Sequence, residues 1–225
     1  PQVDATAPIA GGLGIAAGWE ADAVSGASPA IFGPHTGVDA VTTATQFHDF
    51  RQVAHGGLSY NRPVAGISAS HPHGWEHDYR SHSLSATTPD DLYDHNFTLA
   101  VSYSHNWDSV CDAKNDAAVS PIDLVPLTSS AHCFKSNEID VVTRPLAIDA
   151  VEPSVTWTMT PRFVMQGGGT IQVLDGFQSN PYRSVQVGPI REPQENEPIY
   201  RQRYAVFGRA AYAFPQWRAS GIGMV

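Results

Sequence analysis

Apolar and polar residues alternate with a period of two along several stretches of this chain, the pattern of strands whose two faces meet different surroundings. In 12–24, Leu13, Ile15, Ala17, Trp19, Ala21 and Ala23 share one face, and Gly14, Ala16, Gly18, Glu20 and Asp22 share the other. In 49–61, Phe50, Ala54, Leu58 and Tyr60 oppose Asp49, Arg51, His55, Ser59 and Asn61, with Gln52 and Gly56 as exceptions on the apolar side. Further strands are predicted over 64–70, 80–87 and 96–106, where Phe97, Leu99, Val101 and Tyr103 oppose Thr98, Ser102 and Ser104. Others follow at 151–160, 162–174 and 200–214, and a last one opens near Arg218. Several of these stretches alternate over the roughly 9 to 11 residues that a tilted membrane-crossing strand needs.

Alternation also describes soluble sandwiches and lipocalin-like barrels, whose apolar face points inward, so the connections must arbitrate. Long connections are predicted near 25–48, 71–79, 107–150 and 175–199, and short ones at 62–63, 88–95, 160–161 and 215–217. Long and short therefore alternate, as they do in outer-membrane barrels with long outer loops and short periplasmic turns. The expected fold is all-β: an antiparallel up-and-down transmembrane β-barrel, one domain over 1–225, with about nine strands. Nine is odd, whereas bacterial single-chain barrels close with even numbers, so the barrel is expected to be incomplete at its C-terminus.

Composition narrows the function classes. No apolar run approaches the roughly 18 to 20 residues of a membrane helix. A net charge of −9 with only two lysines, Lys114 and Lys135, argues against a nucleic-acid partner. The start, Pro1 to Pro8, has no charged and apolar leader, which fits a processed exported chain or one never exported. Cys111 and Cys133 lie in one polar connection and are expected to form a disulfide, worth about 3 kcal/mol in an oxidising compartment. Two unrelated thiols are the alternative; zinc is disfavoured without a close Cys-x-x-Cys.

Several stretches carry a resemblance. They are Asp22-Ala-Val-Ser-Gly-Ala-Ser-Pro29 with Asp39-Ala-Val-Thr-Thr-Ala-Thr45, Glu76-His-Asp-Tyr-Arg-Ser81 leading to Asp94-His-Asn-Phe-Thr-Leu99, and Gly176-Phe-Gln-Ser-Asn-Pro-Tyr-Arg183 followed by Arg201-Gln-Arg-Tyr-Ala205. With these the chain resembles the bacterial outer-membrane β-barrel family catalogued as domain of unknown function 3570. The segments around 76–81 and 180–183 are the most specific. The resemblance implies an exported barrel and brings no activity or catalytic residues with it.

Three groups of residues could carry chemistry. On the predicted lumen face, Glu20, Asp22, Asp49, Arg51 and His55 gather on neighbouring strands, either as a wall-knitting charge network or as a constriction that selects solutes. Arg203 and Arg209 join that face, with Phe207 out of keeping between them. His71, His73, His77 and His82, interleaved with Glu76 and Asp78, could hold a divalent metal in the second outer loop, although their spacing matches no named metal motif and a solvated polar loop is the plainer explanation. Asp22 and Asp39, in near-repeated segments, could form an oxygen-rich cation site or simply frame the first loop.

Catalytic motifs are missing from the sequence. His55 and Ser59 share a face but stand roughly 13 Å apart at about 3.3 Å per residue, too far for proton transfer. No Gly-x-Ser-x-Gly and no His-Glu-x-x-His occurs, and Gly167-Gly168-Gly169 lacks the rest of a phosphate loop, so it reads as a place of close approach. The expectation is a non-enzymatic outer-membrane protein in contact with outer-membrane lipid and without a cofactor. A solute or export channel comes first, an anchor for a larger envelope or surface assembly second, and a barrel enzyme third.

Overall fold

The computed structural model describes residues 1–32, 41–92, 96–128, 133–135, 139–185, 187, 192–214 and 219–224, the side chains of 24–49, 219–222 and 224 excepted. Among these residues ten strands follow one another: β1 Gln2–Pro8, β2 Leu13–Phe32, β3 Val41–Asn61, β4 Gly66–Trp75, β5 Tyr79–Leu92, β6 Phe97–Ala113, β7 Val141–Thr160, β8 Phe163–Gly176, β9 Tyr200–Phe214 and β10 Ala219–Met224. Each pairs antiparallel with the next in one sheet ordered β1 to β10. Among the described residues the only helical element is a 3-10 turn at Pro121–Asp123, and among them no helix is long and apolar enough to cross a membrane. Strands β1 and β10 form the two edges, so the sheet is an open up-and-down wall.

The first strand escaped the sequence reading, although it also alternates: Val3, Ala5 and Ala7 against Gln2, Asp4 and Thr6. Its turn depends on Gly11 (φ +63°) and Gly12 (φ +88°), a backbone region open to glycine. The predicted loops also shrink. Strand pairing continues through 25–32 and 41–48, so the first connection is 33–40. The second, expected at 71–79, is a turn of Glu76, His77 and Asp78, because β4 runs to Trp75. The expected 107–150 and 175–199 reduce to 114–140 and 177–199. Alternation is interrupted in these extensions by prolines and mixed polar residues, which is why their strand character is hidden. The remaining contrast in connection length comes mainly from the last two loops.

Strand register carries information about shape. A single cross-strand row runs Ile15, Leu58, Ala69, Ala86, Tyr103, Val151, Ile171 and Tyr204. It begins two residues from the start of β2 and finishes ten residues from the end of β9. The strands thus slip by about one residue each. A slip of ~3.3 Å per ~4.8 Å of sheet width tilts strands by roughly 35°, the stagger that a barrel wall needs.

That row and those beside it divide the sheet into two faces. One is apolar: Leu99 lies between Asp90 and Val155, Val101 between Thr88 and Pro153, and Phe97 between Leu92 and Trp157. Its side chains are uncovered, with Leu58, Ile67, Leu84, Leu99 and Trp157 all exposed. The opposite face is polar and short-chained, with Ser70 and Ser85 oxygens 2.7 Å apart and Thr87 and Ser102 oxygens 2.8 Å apart. Most deeply buried residues, among them Cys111, Leu127, Asp108, Asp112 and Gln194, lie at the end where the long loops fold back.

Candidate functional site

Two sequence segments about a hundred residues apart meet at that end. Tyr182, from Asn180-Pro-Tyr-Arg183, donates its hydroxyl to Asp78 Oδ2 at 2.5 Å and lies 3.4 Å from His77 Nε2. Asn180 shapes the segment: its Oδ1 accepts from the Tyr182 amide at 3.0 Å and its carbonyl from the Arg183 amide at 3.2 Å. Asp78 is anchored in turn, its carbonyl accepting from the Cys111 amide at 2.8 Å. The next residue, Tyr79, donates to Asp108, a buried carboxylate opposite Ser81 on β6. Tyr79 stands at the loop end of β5, level with Val110. Burial first, and then the Asp108 hydrogen bond and charge, push its phenol well above the ordinary value, so it remains a donor.

A second buried carboxylate extends the cluster. Asp112 accepts from Gln194 Nε2 at 2.7 Å and from Arg144 Nε at 3.1 Å. Gln194 is held by Asn115 at 3.3 Å, and its amide bonds the Leu124 carbonyl at 3.0 Å. Below, the Cys111–Cys133 disulfide ties loop 114–140 to β6, and Cys111 packs with Ala113, Leu127 and Tyr182. The outcome is a hydrogen-bonded polar assembly of tyrosine hydroxyls, carboxylates and amides at the loop-bearing end of the sheet. None of Asp108, Asp112, Arg144 and Gln194 was singled out from sequence, and Tyr182 only as part of the Asn180-Pro-Tyr-Arg183 segment. The two specific segments were legible as motifs; their contact was not.

Of the residues expected to form a charge network, Glu20, Asp22, Arg51 and His55 share the polar face, and His55 and Arg51 find other partners. His55 Nε2 stands 3.0 Å from Asp4 Oδ1, on the strand that sequence reading missed. Arg51 lies 3.6 Å from Glu76, in the turn rather than on a neighbouring strand. Asp22 is opposite Arg51 in register and Glu20 opposite Val53, both exposed. The Asp49 side chain and Asp39 lie outside the described residues. Arg203 and Arg209 do take the polar face, opposite Gln172 and Gln166. Phe207 lies between them because its ring covers Gly168, where a Cβ would come 2.8 Å from two ring carbons. The close approach expected at Gly167-Gly168-Gly169 is therefore that of the Phe207 ring together with backbone carbonyls of the neighbouring strands, Pro153 at Gly168 and Ala205 at Gly169, each 2.8 Å from where a Cβ would stand.

A similar accommodation supports the Asp4–His55 pair, which spans β1 and β3 across β2 at Gly18. A Cβ on Gly18 would strike the Asp4 carboxylate and lie 2.5 Å from His55 Nε2. Gly18→Val is expected to cost about 1 to 2 kcal/mol by overpacking. In an Asp4→Ala, His55→Ala background the cost should fall by more than half, read from denaturant unfolding as a double-mutant cycle. An equal penalty in both backgrounds refutes the crossing contact.

The histidines divide differently from expectation. His77 belongs to the turn, beside Tyr182 and 3.7 Å from Asp78. His71 and His73 are in β4 and His82 is in β5, all on the apolar face near its loop-bearing end. His73 and His82 stack with centroids 4.1 Å apart, and His71 and His82 with centroids 6.0 Å apart. Trp75 lies 5.4 Å from His73, and His105 packs edge-on to Trp107 at 4.4 Å while its Nδ1 meets Asp149 at 2.7 Å. Among the described residues no three His, Cys, Asp or Glu side chains converge as they stand on a point that could hold a metal.

Comparison with known proteins adds one finding. The family described as "Protein of unknown function (DUF3570)" matches residues 34–221. No curated protein and no solved structure matches the chain.

Proposed function

The chain belongs to the DUF3570 family, and from that premise we propose that it forms the wall of a solute channel in the bacterial outer membrane, with the apolar face against lipid and the polar face lining water. The observation that carries this reading is the size of the polar-face side chains. Across β2 to β6 that face presents Gly14, Ala16, Gly57, Ser59, Ser68, Ser70, Ser85, Thr87 and Ser102. Small barrels fill their interior with side chains, and glycine and serine cannot do so. A wall of short hydroxyls closed into a barrel keeps water inside, and each hydroxyl both donates and accepts to it. The exposed apolar face, the roughly 35° stagger and the long loops gathered at one end support membrane placement.

In this reading the Tyr182–Asp78 and Tyr79–Asp108 assembly frames the outer mouth, and no catalytic step is assigned. The purified full-length protein in planar bilayers should give discrete conductance steps. Ser85→Trp, which puts a large ring on the hydroxyl lane, should reduce step size by at least about half. An absence of steps, or steps indifferent to Ser85→Trp, overturns the channel reading in favour of an anchoring role.

A further inference from the structure

We propose that His71, His73 and His82 bind one late first-row divalent metal ion, of the Cu²⁺, Ni²⁺ or Zn²⁺ class, on the apolar face at its loop-bearing end. The site is separate from the hydroxyl lane and does not depend on the channel reading.

Strand geometry brings the three together. His71 and His73 are two residues apart on β4, so their side chains emerge from the same face about 7 Å apart. His82 is the direct cross-strand partner of His73, which places their Cα atoms about 4.5 to 5.5 Å apart. Three imidazoles thus rise from the corners of a small triangle on adjacent strands. Imidazole nitrogen suits these metals, and three protein nitrogens leave a further position for water.

The hydrogen bond of His73 is the second observation. Its Nδ1 lies 2.9 Å from the Ser81 carbonyl oxygen. A carbonyl only accepts, so Nδ1 carries the proton and Nε2 carries the lone pair. Holding one ring nitrogen on a backbone carbonyl while the other faces outward is how ligating histidines are oriented. The Ser81 carbonyl adjoins His82 in the chain, so the same bond fixes His73 relative to its co-ligand. His71 and His82 are exposed, and turning their rings from the stack toward a shared ion meets little packing resistance. His77 is excluded, since the turn holds it against Tyr182 and Asp78.

Trp75, 5.4 Å from His73, makes the site observable. Full-length protein in detergent, titrated with CuCl₂ or NiCl₂, should show saturable tryptophan quenching with one ion bound per chain. Cu²⁺ paramagnetic resonance of the unaltered protein should show coupling to at least two imidazole nitrogens. His82→Gln and His71→Gln should each weaken binding at least about tenfold, whereas His77→Gln should leave it unchanged. Absence of saturable binding, absence of nitrogen coupling, or binding that survives loss of His82 but not of His77 refutes the site. The resonance measurement stands even if a variant misfolds, because it uses the native chain.

Discussion

Arginine in place of Leu99 should lower the stability of the folded protein in lipid by about 2 to 4 kcal/mol, while the same change at Ser102 should cost less than about 1 kcal/mol. Leu99 sits in the apolar face between Asp90 and Val155 with its side chain uncovered. Ser102 is three residues along the same strand, on the opposite face, with its oxygen 2.8 Å from that of Thr87. Against lipid, a guanidinium loses hydration that the single Asp90 carboxylate across from it replaces only in part; against a wet lumen it keeps it. Refolding into vesicles with urea titration gives the two stabilities. A soluble structure with the apolar face turned into a dry core would also suffer at Leu99, so stability alone does not separate the models. Single cysteines at the two positions do, when native membranes are treated with water-soluble and lipid-soluble thiol reagents. Labelling of position 99 by the water-soluble reagent and of 102 only by the lipid-soluble one reverses the assignment and removes the membrane reading with it.

Opening the Cys111–Cys133 bond should cost about 3 kcal/mol. The bonded residues are 22 apart in sequence, and releasing a loop of that size returns roughly this much conformational entropy to the unfolded chain. The effect should be concentrated at the loop-bearing end, because Cys111 is fully buried and packs with Ala113, Leu127 and Tyr182. Cys133→Ala, or reduction of the native protein, should therefore lower the unfolding midpoint and expose 114–140 to limited proteolysis, with cleavage between β7 and β8 unchanged. Loosening of Tyr182 from Asp78 should follow, since Tyr182 joins both the disulfide cluster and that hydrogen bond. An unaltered midpoint together with an unaltered digestion pattern contradicts the role given to the bond.

Sequence by itself determined the wall. Period-two alternation reports which surroundings each face meets, and that information is local, so the strand segments at 12–24, 49–61, 96–106 and 200–214 and their face assignments were readable residue by residue. The disulfide was equally legible, because two cysteines permit one pairing. Strand ends were less so. Pro72, Pro145 and Pro153 interrupt the pattern inside β4 and β7, and ladder pairing with neighbours carries the strands past them. β1 was hidden by its shortness and its small residues.

Tertiary structure alone decided the partnerships. Asp4 could not be matched with His55 while β1 was unknown, and their contact further requires that Gly18 between them lacks a side chain. Phe207 looked misplaced until Gly168 supplied the space beneath its ring. The histidines illustrate the difference best: adjacent in sequence, they resembled one loop cluster, yet a turn confined to Glu76, His77 and Asp78 sends His77 to Tyr182 and the other three to the apolar face. Side-chain periodicity fixes the face a residue takes, whereas register, which depends on where each turn closes, fixes whom it meets there.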